Sequence, residues 1–191
     1  HISTNACMQV FGGHGFIKEW GMEQFVRDNR INMIYEGTNT VQSLDLLGRK
    51  VLGNQGATLK KFGKLVGQLV AEEGVNEKMA EFINPIAMLG EQMTKFTTEI
   101  GFKGMQNPDE VGAAAVDYLR VAGHLVFGYL FARMAQVALR AIAAGSTDPF
   151  YTAKLQTARF YFAKLFPETA TLMRTARAGA KVLMDTELAL A

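Results

Sequence analysis

The run from Asn107 to Gly145 constrains the fold more than any other stretch of this 191-residue chain. Asn107 can cap a helix, and Pro108 suits the first helical position, where no N–H is needed. Asp109 and Glu110 then complement the positive end of the helix dipole. The pattern continues unbroken to Gly145, which predicts one helix of about 35 residues, roughly 50 Å long at 1.5 Å per residue. Gly112 and Ala113 to Ala115, near its start, would let another helix approach closely. Upstream, Leu59, Phe62, Leu65, Val66 and Leu69 share one helical face ending near Gly74. A further helix starts at Asn76, is interrupted at Asn84-Pro85, and resumes with Ile86, Leu89, Met93, Phe96 and Ile100. Ser146 to Pro149 opens the last long segment, in which Pro167 starts a separate helix or kinks one. A helix carrying Val41, Leu44, Leu47 and Val51 precedes all of these. It is broken at Gly53-Asn54-Gln55-Gly56, where Asn54 can cap its successor. No stretch alternates β-branched and polar residues. The expectation is an all-α chain whose four long helices, joined by short loops, form an up-and-down bundle.

Composition narrows the function. Hydrophobic residues at 49% and charged residues at 20% are ordinary for a globular protein, and a net charge of +2 without a dense basic stripe gives no argument for nucleic acid. Lys60, Lys61 and Lys64 are expected on a solvated helix face. Cys7 is the sole cysteine, so an intrachain disulfide and a multi-cysteine metal site are both excluded, in keeping with a cytoplasmic location. No uninterrupted apolar run reaches the roughly 18 residues of a membrane span, since Asp117, Arg120, Arg133 and Arg140 punctuate the most apolar region; no transmembrane segment is expected. No metal site is expected either: His124 has no Glu-x-x-His companion and is read as a polar contact in the bundle, with the aromatics from Phe150 to Phe166 as core. The chain opens on His1 without an initiator Met or a signal peptide, and reads as part of something longer.

Chemistry concentrates between Gln9 and Gln42. Gly12, Gly13 and Gly15 carry no Cβ and let the backbone bend sharply or approach a ligand. They are not a dinucleotide fingerprint, because Lys18 stands where the third glycine would fall and a helix-like segment precedes the turn. Arg27, Asp28 and Arg30 follow, read as a buried Arg–Asp pair tying the next loop to its helix. Then Glu36 sits beside Gly37, just before Thr38 and Asn39, two candidate N-caps. An acid at such a place, next to a residue that leaves room for substrate, can serve as a general base.

The order Q-x-F-G-G-x-G, R-D-x-R-I and I-Y-E-G-T-N-x-x-Q resembles the C-terminal helical domain of the flavin-dependent acyl-CoA dehydrogenases. His14 stands where an aromatic is common and Asn29 where a small residue is expected. The resemblance implies that Glu36 is the catalytic base that abstracts the α-proton of an acyl-CoA thioester, with Gly37 lining the substrate path. It implies FAD as cofactor, touched by Gln9, Val10, Phe11, Gly12 and Gly13, and by Thr38, Asn39 and Thr40. It further implies an external electron acceptor such as an electron-transfer flavoprotein, and a homodimer. Residues 1–54 would be the end of the catalytic domain, and residues 55–191 an appended bundle like that of the longer members; alone, the piece would be inactive. The alternative reading is a non-catalytic helical assembly module, in which the Glu36 segment is silent. A related flavin mono-oxygenase or oxidase is a third.

Overall fold

The computed structural model describes residues 1–184. They are mostly helical, with no strand among them, as expected for an all-α chain. The chain divides into two compact units, His1–Gln42 and a second beginning at Ser43.

In the first unit, α1 (Ile2–Val10) and α2 (Met22–Arg30) pack together, and Asn29 Nδ2 reaches Thr4 Oγ1 at 3.5 Å. Between them the chain makes two short 3-10 turns, Gly12–Gly15 and Lys18–Trp20. Gly15 is the one buried residue of the unit, and a Cβ there would lie 2.3 Å from the Met8 carbonyl oxygen. The predicted Arg–Asp pair does not form. Arg27 instead bonds Glu23 and Asp28 accepts from Gln24, each at 2.6 Å and each one helical turn back. Neighbouring residues on a helix point about 100° apart, so side chains three or four positions away are the available partners. Arg27 is exposed rather than buried.

The second unit is a bundle of four successive helical spans: α4 (Ala57–Glu73), α5 (Ala80–Gln106), α6 (Asp109–Ala143) and a last span split into α7 (Pro149–Phe160) and α8 (Glu168–Arg177). α3 (Asn39–Leu44) leads into a wide-turn segment, Asp45–Leu52, before α4; a short α9 (Lys181–Met184) follows α8. The π-like turn Tyr161–Leu165 and Pro167 offset α8 from α7, so Pro167 starts a new helix. α6 is the hub, packed against α5, α7 and α8, while α4 rests on α5. It has the predicted length of 35 residues, and Asn107 Oδ1 accepts from the Asp109 N–H as a cap should. By length and composition α6 is apolar enough to cross a membrane, with an 18-residue window of mean hydropathy 1.4. Only 33% of that window is buried, and α6 leaves Val126, Phe127 and Leu130 exposed.

The core runs along α5 and α6: Phe82, Ile86, Leu89, Met93 and Phe96 meet Tyr118, Val121, Leu125 and Ala132. Phe96 stacks on Tyr118 at 5.7 Å, and Phe82 meets Phe162 edge-on at 5.4 Å. Of the late aromatics, Tyr161, Phe162 and Phe166 are buried, but Phe150 and Phe160 face outward. Two local expectations fail. Pro85 does not interrupt α5, because losing one helical hydrogen bond costs ~3 kcal/mol while each of Phe82, Ile83, Ile86 and Leu89, all buried, contributes ~1.5–3 kcal/mol. The cap of α4 is Gly56 at φ +74°, not Asn54, whose amide bonds Thr58 Oγ1 at 2.7 Å. Of the small residues at the start of α6, Ala114 and Ala115 are buried in the core while Gly112 meets nothing within 4 Å; a further close approach is at Gly128, where a Cβ would lie 2.7 Å from Phe166 and 3.0 Å from Ile86.

Candidate functional site

Glu36 occupies the left-handed region at φ +56°, which non-glycine residues visit rarely, and Gly37 continues it at φ +87°. Two successive positive φ values turn the chain sharply into α3. Thr38 starts the helix as expected: its Oγ1 accepts from the Val41 N–H at 3.4 Å and its carbonyl from the Gln42 N–H at 3.0 Å. A residue assigned no role from sequence completes the loop. Gln42 Nε2 donates to the Glu36 carbonyl oxygen at 2.7 Å, folding the side chain back over Gly37. A Cβ on Gly37 would stand 3.1 Å from Val41 Cγ1 and 3.3 Å from Gln42 Nε2, so the bare backbone is required here by both conformation and space. The Glu36 side chain is exposed, and its carboxylate has no hydrogen bond or ion pair among the described residues.

The structure thus brings Glu36, Gly37, Thr38 and Gln42 together, with Asn39 and Thr40 in the first turn of α3. Gln9, Val10, Phe11, Gly12 and Gly13 belong to a different element, the exit of α1 and the turn after it. Phe11 packs edge-on against Trp20 at 6.3 Å and His14 does so at 5.1 Å, so Trp20 braces the glycine turn. Gly12 has φ +60°, and the Cβ positions of both Gly12 and Gly13 face open space. Gln9 and Val10 are exposed. An uncovered, glycine-bared strip ending in the exposed Gln9 side chain is a surface against which a flat or extended ligand can lie.

His124, in the second unit, is a polar contact between helices. Its Nδ1 lies 2.9 Å from Tyr161 Oη and its Nε2 3.1 Å from Glu168 Oε2, and Arg120 closes the cluster on Glu168. Burial, helped by the Glu168 charge, pushes the Tyr161 phenol well above its ordinary value. The phenol therefore stays protonated and serves as a hydrogen-bond donor.

Comparison with known proteins accounts for nearly the whole chain. Residues 2–52 match the family described as "Acyl-CoA dehydrogenase, C-terminal domain", and residues 57–187 match "Acetyl-CoA dehydrogenase C-terminal like". The chain is 35% identical over 165 residues to a 3-methylmercaptopropionyl-CoA dehydrogenase of Ruegeria pomeroyi, an overlap covering 84% of this chain and 28% of that protein. It is 27% identical over 170 residues to the broad-specificity linear acyl-CoA dehydrogenase FadE5 of Mycobacterium tuberculosis, with the same coverage. A butyryl-CoA dehydrogenase of Syntrophomonas wolfei is 30% identical over 173 residues, covering 87% of this chain and 28% of that protein. The chain belongs to the acyl-CoA dehydrogenase family. It spans 28% of the length of each of these relatives.

Proposed function

We propose that this chain works as the C-terminal part of a flavin-dependent acyl-CoA dehydrogenase that converts an acyl-CoA thioester into its 2,3-enoyl-CoA, with Glu36 as the base. The observation that carries the reading is the Glu36–Gly37 turn. Its backbone is held in a conformation that costs free energy, while the carboxylate it presents has no partner among the described residues. Water alone can satisfy an exposed carboxylate, so the left-handed backbone beneath this one is the feature that asks for a reason. This one is held out by its backbone, as a group awaiting a substrate proton would be.

The α-carbon of a thioester is a weak acid, so the base must meet it shielded from water. Here the Glu36 side chain lies exposed, and so do Val10, Phe16, Trp20, Phe25, Ile34 and Tyr35 of the same unit. Apolar surface on this scale fits a unit covered by the rest of a larger catalytic domain, which would also close the base off from solvent. Within this frame Glu36 Oε takes the α-proton, and Gly37 leaves room for the thioester. FAD, when bound, supplies the acceptor for the hydride leaving the β-carbon. The chain's contribution to holding it would be the Gln9 amide, the open strip from Val10 to Gly13, and the first turn at Thr38, Asn39 and Thr40. The Thr38 oxygen accepts from Val41 but keeps its own O–H free to donate. An external acceptor such as an electron-transfer flavoprotein, a homodimeric assembly and a cytoplasmic setting complete the proposal.

The test is Glu36→Gln in a full-length protein carrying this chain, assayed with a panel of acyl-CoA thioesters and an artificial electron acceptor. The swap keeps the side chain's shape and removes its basicity. Loss of turnover with flavin retained supports the reading; unchanged turnover sinks it and favours a structural, assembly-only role for the segment.

A further inference from the structure

α4 packs on α5, and two close approaches flank an opening on their shared surface. The Cβ position of Gly101 is 3.1 Å from Leu52 Cδ2 just before α4 begins, and that of Gly90 is 3.9 Å from Val66 Cγ1 further along. These contacts lie about 16 Å apart along α5 at 1.5 Å per residue. A slot of about 790 Å³ opens between the helices, with Leu125 of α6 among its lining residues. That volume is in the range of small-molecule sites, which run ~300–1,000 Å³.

The walls are more apolar than their sequence suggests. α5 turns Thr94, Thr97 and Thr98 toward the slot, yet each hydroxyl bonds back to its own helix: to the carbonyls of Gly90 at 3.2 Å, Met93 at 2.7 Å and Thr94 at 3.0 Å. Their donors are spent, and methyl groups remain for an occupant. α4 contributes Leu59 and the bare backbone of Gly63 and Gly67. Charge is confined to the rims. Lys60 and Lys64, one turn apart on α4, line one edge, with Glu91 on α5. Among the described residues neither lysine makes an ion pair, whereas Arg49, Arg120, Arg133, Arg140, Arg159 and Arg177 all do.

We infer that this slot binds a single-chain anionic amphiphile, a fatty carboxylate whose apolar tail lies between α4 and α5 and whose head meets Lys60 and Lys64. An extended chain can lie along the slot while α4 stays packed on α5. A docked helix, ~10 Å across, would need α4 and α5 parted along its whole length. Every residue involved lies beyond Val51, so the inference stands apart from the role of Glu36.

The test titrates the chain with the fluorescent fatty acid cis-parinaric acid and displaces it with palmitate or with hexadecylammonium. Binding should saturate at one site, and palmitate should displace the probe where the cationic amphiphile does not. Gly63→Leu starts a side chain where a Cβ meets nothing within 4 Å and extends it into the slot that Gly63 lines. It should keep its helical circular dichroism and melting temperature and lose binding by at least roughly tenfold. Lys60→Glu with Lys64→Glu should weaken palmitate by roughly tenfold, the scale of a lost charge-assisted contact, and turn the preference toward hexadecylammonium. Failure of palmitate to displace the probe, or equal palmitate affinity in Gly63→Leu, overturns the inference. So does a chain that binds no palmitate but sediments as a dimer which Gly63→Leu converts to monomer; the slot would then belong to a second copy.

Discussion

The side-chain amide of Gln42 donates to the backbone carbonyl of Glu36 at 2.7 Å, so the residue proposed as base is held through its main chain by the helix it introduces. Gln42 touches the loop and not the Glu36 carboxylate, which makes it a positioning residue. Gln42→Ala in a full-length enzyme should leave flavin content and KM close to wild type and lower kcat by roughly tenfold, equivalent to ~1.4 kcal/mol. Gln42→Glu, which cannot donate at neutral pH, should behave like Ala. Steady-state kinetics alongside the flavin absorbance decide this, and a parallel loss of flavin and activity would mean that Gln42 only keeps the fold.

Gly37 admits no side chain for two separate reasons. At φ +87° an alanine pays a left-handed penalty of ~1–2 kcal/mol, and its Cβ would also press on Val41 Cγ1 at 3.1 Å. Gly37→Ala should therefore lower stability and activity together, in contrast to Gln42→Ala. Comparing protease susceptibility of the loop in the two variants separates the effects.

In α6 two glycines should respond with opposite signs to the same substitution. Gly123→Ala adds a methyl where nothing lies within 4 Å, so helix propensity alone should stabilise the chain by up to ~1 kcal/mol. Gly128→Ala drives a methyl to 2.7 Å from Phe166 Cε2 and 3.0 Å from Ile86 Cγ2, at the meeting of three buried helical segments. Overpacking of this kind costs ~1–3 kcal/mol and should outweigh the propensity gain. Urea denaturation of the two variants is the check, and equal responses would refute the close approach at Gly128.

That pair also marks what the sequence made legible. The limits of α6 could be read directly because Asn107, Pro108 and Gly145 are local signals, and a helix end is decided within one turn. The Gly37 turn and the Thr38 cap were legible for the same reason. Gly128 was not, since its need for a bare Cα comes from Phe166 and Ile86, distant in sequence. Pro85 misled because its local cost is outweighed by core residues on either side. Arg27 and Asp28 misled by adjacency, which in a helix separates side chains. Gln42 was visible as the end of a recurring pattern, but its bond to Glu36 depends on a backbone turn that only the structure displays.

Acid should loosen the bundle through Glu73. This carboxylate, 4% exposed at the end of α4, accepts from Gln136, from Asn76 at 2.8 Å and from Arg140 at 2.7 Å. Burial pushes its pKa up, but hydrogen bonds from Gln136, Asn76 and Arg140 together outweigh that and hold it below the ordinary 4.5. A depressed folded-state pKa means the unfolded chain takes up the proton first. The stabilisation is therefore complete above about pH 4.5 and fades as the pH falls through the lower, folded-state value. Glu73→Gln should cost ~1–3 kcal/mol at pH 7 and flatten the fall in unfolding free energy below pH 4.5. Chemical denaturation repeated across that range would expose a wrong sign at once.

The buried hydroxyls of Thr97 and Tyr118 form a directed chain, and direction makes their mutations unequal. Thr97 Oγ1 lies 2.7 Å from the Met93 carbonyl oxygen and 2.7 Å from Tyr118 Oη. A hydroxyl has one proton, and a carbonyl can only accept, so Thr97 donates to Met93 and accepts from Tyr118. Tyr118→Phe removes the outer donor and leaves Thr97 satisfied, at a cost of ~1 kcal/mol. Thr97→Val instead strands the Tyr118 O–H, 1% exposed between α5 and α6, and should cost more, up to ~3 kcal/mol. With Phe at 118 nothing is left to strand, so adding Thr97→Val there should cost less than it does in the wild type. The double-mutant cycle, read by urea denaturation, should return a coupling of ~1 kcal/mol or more. Additive costs would mean that Tyr118 donates elsewhere and that the two hydroxyls are not energetically bonded to each other.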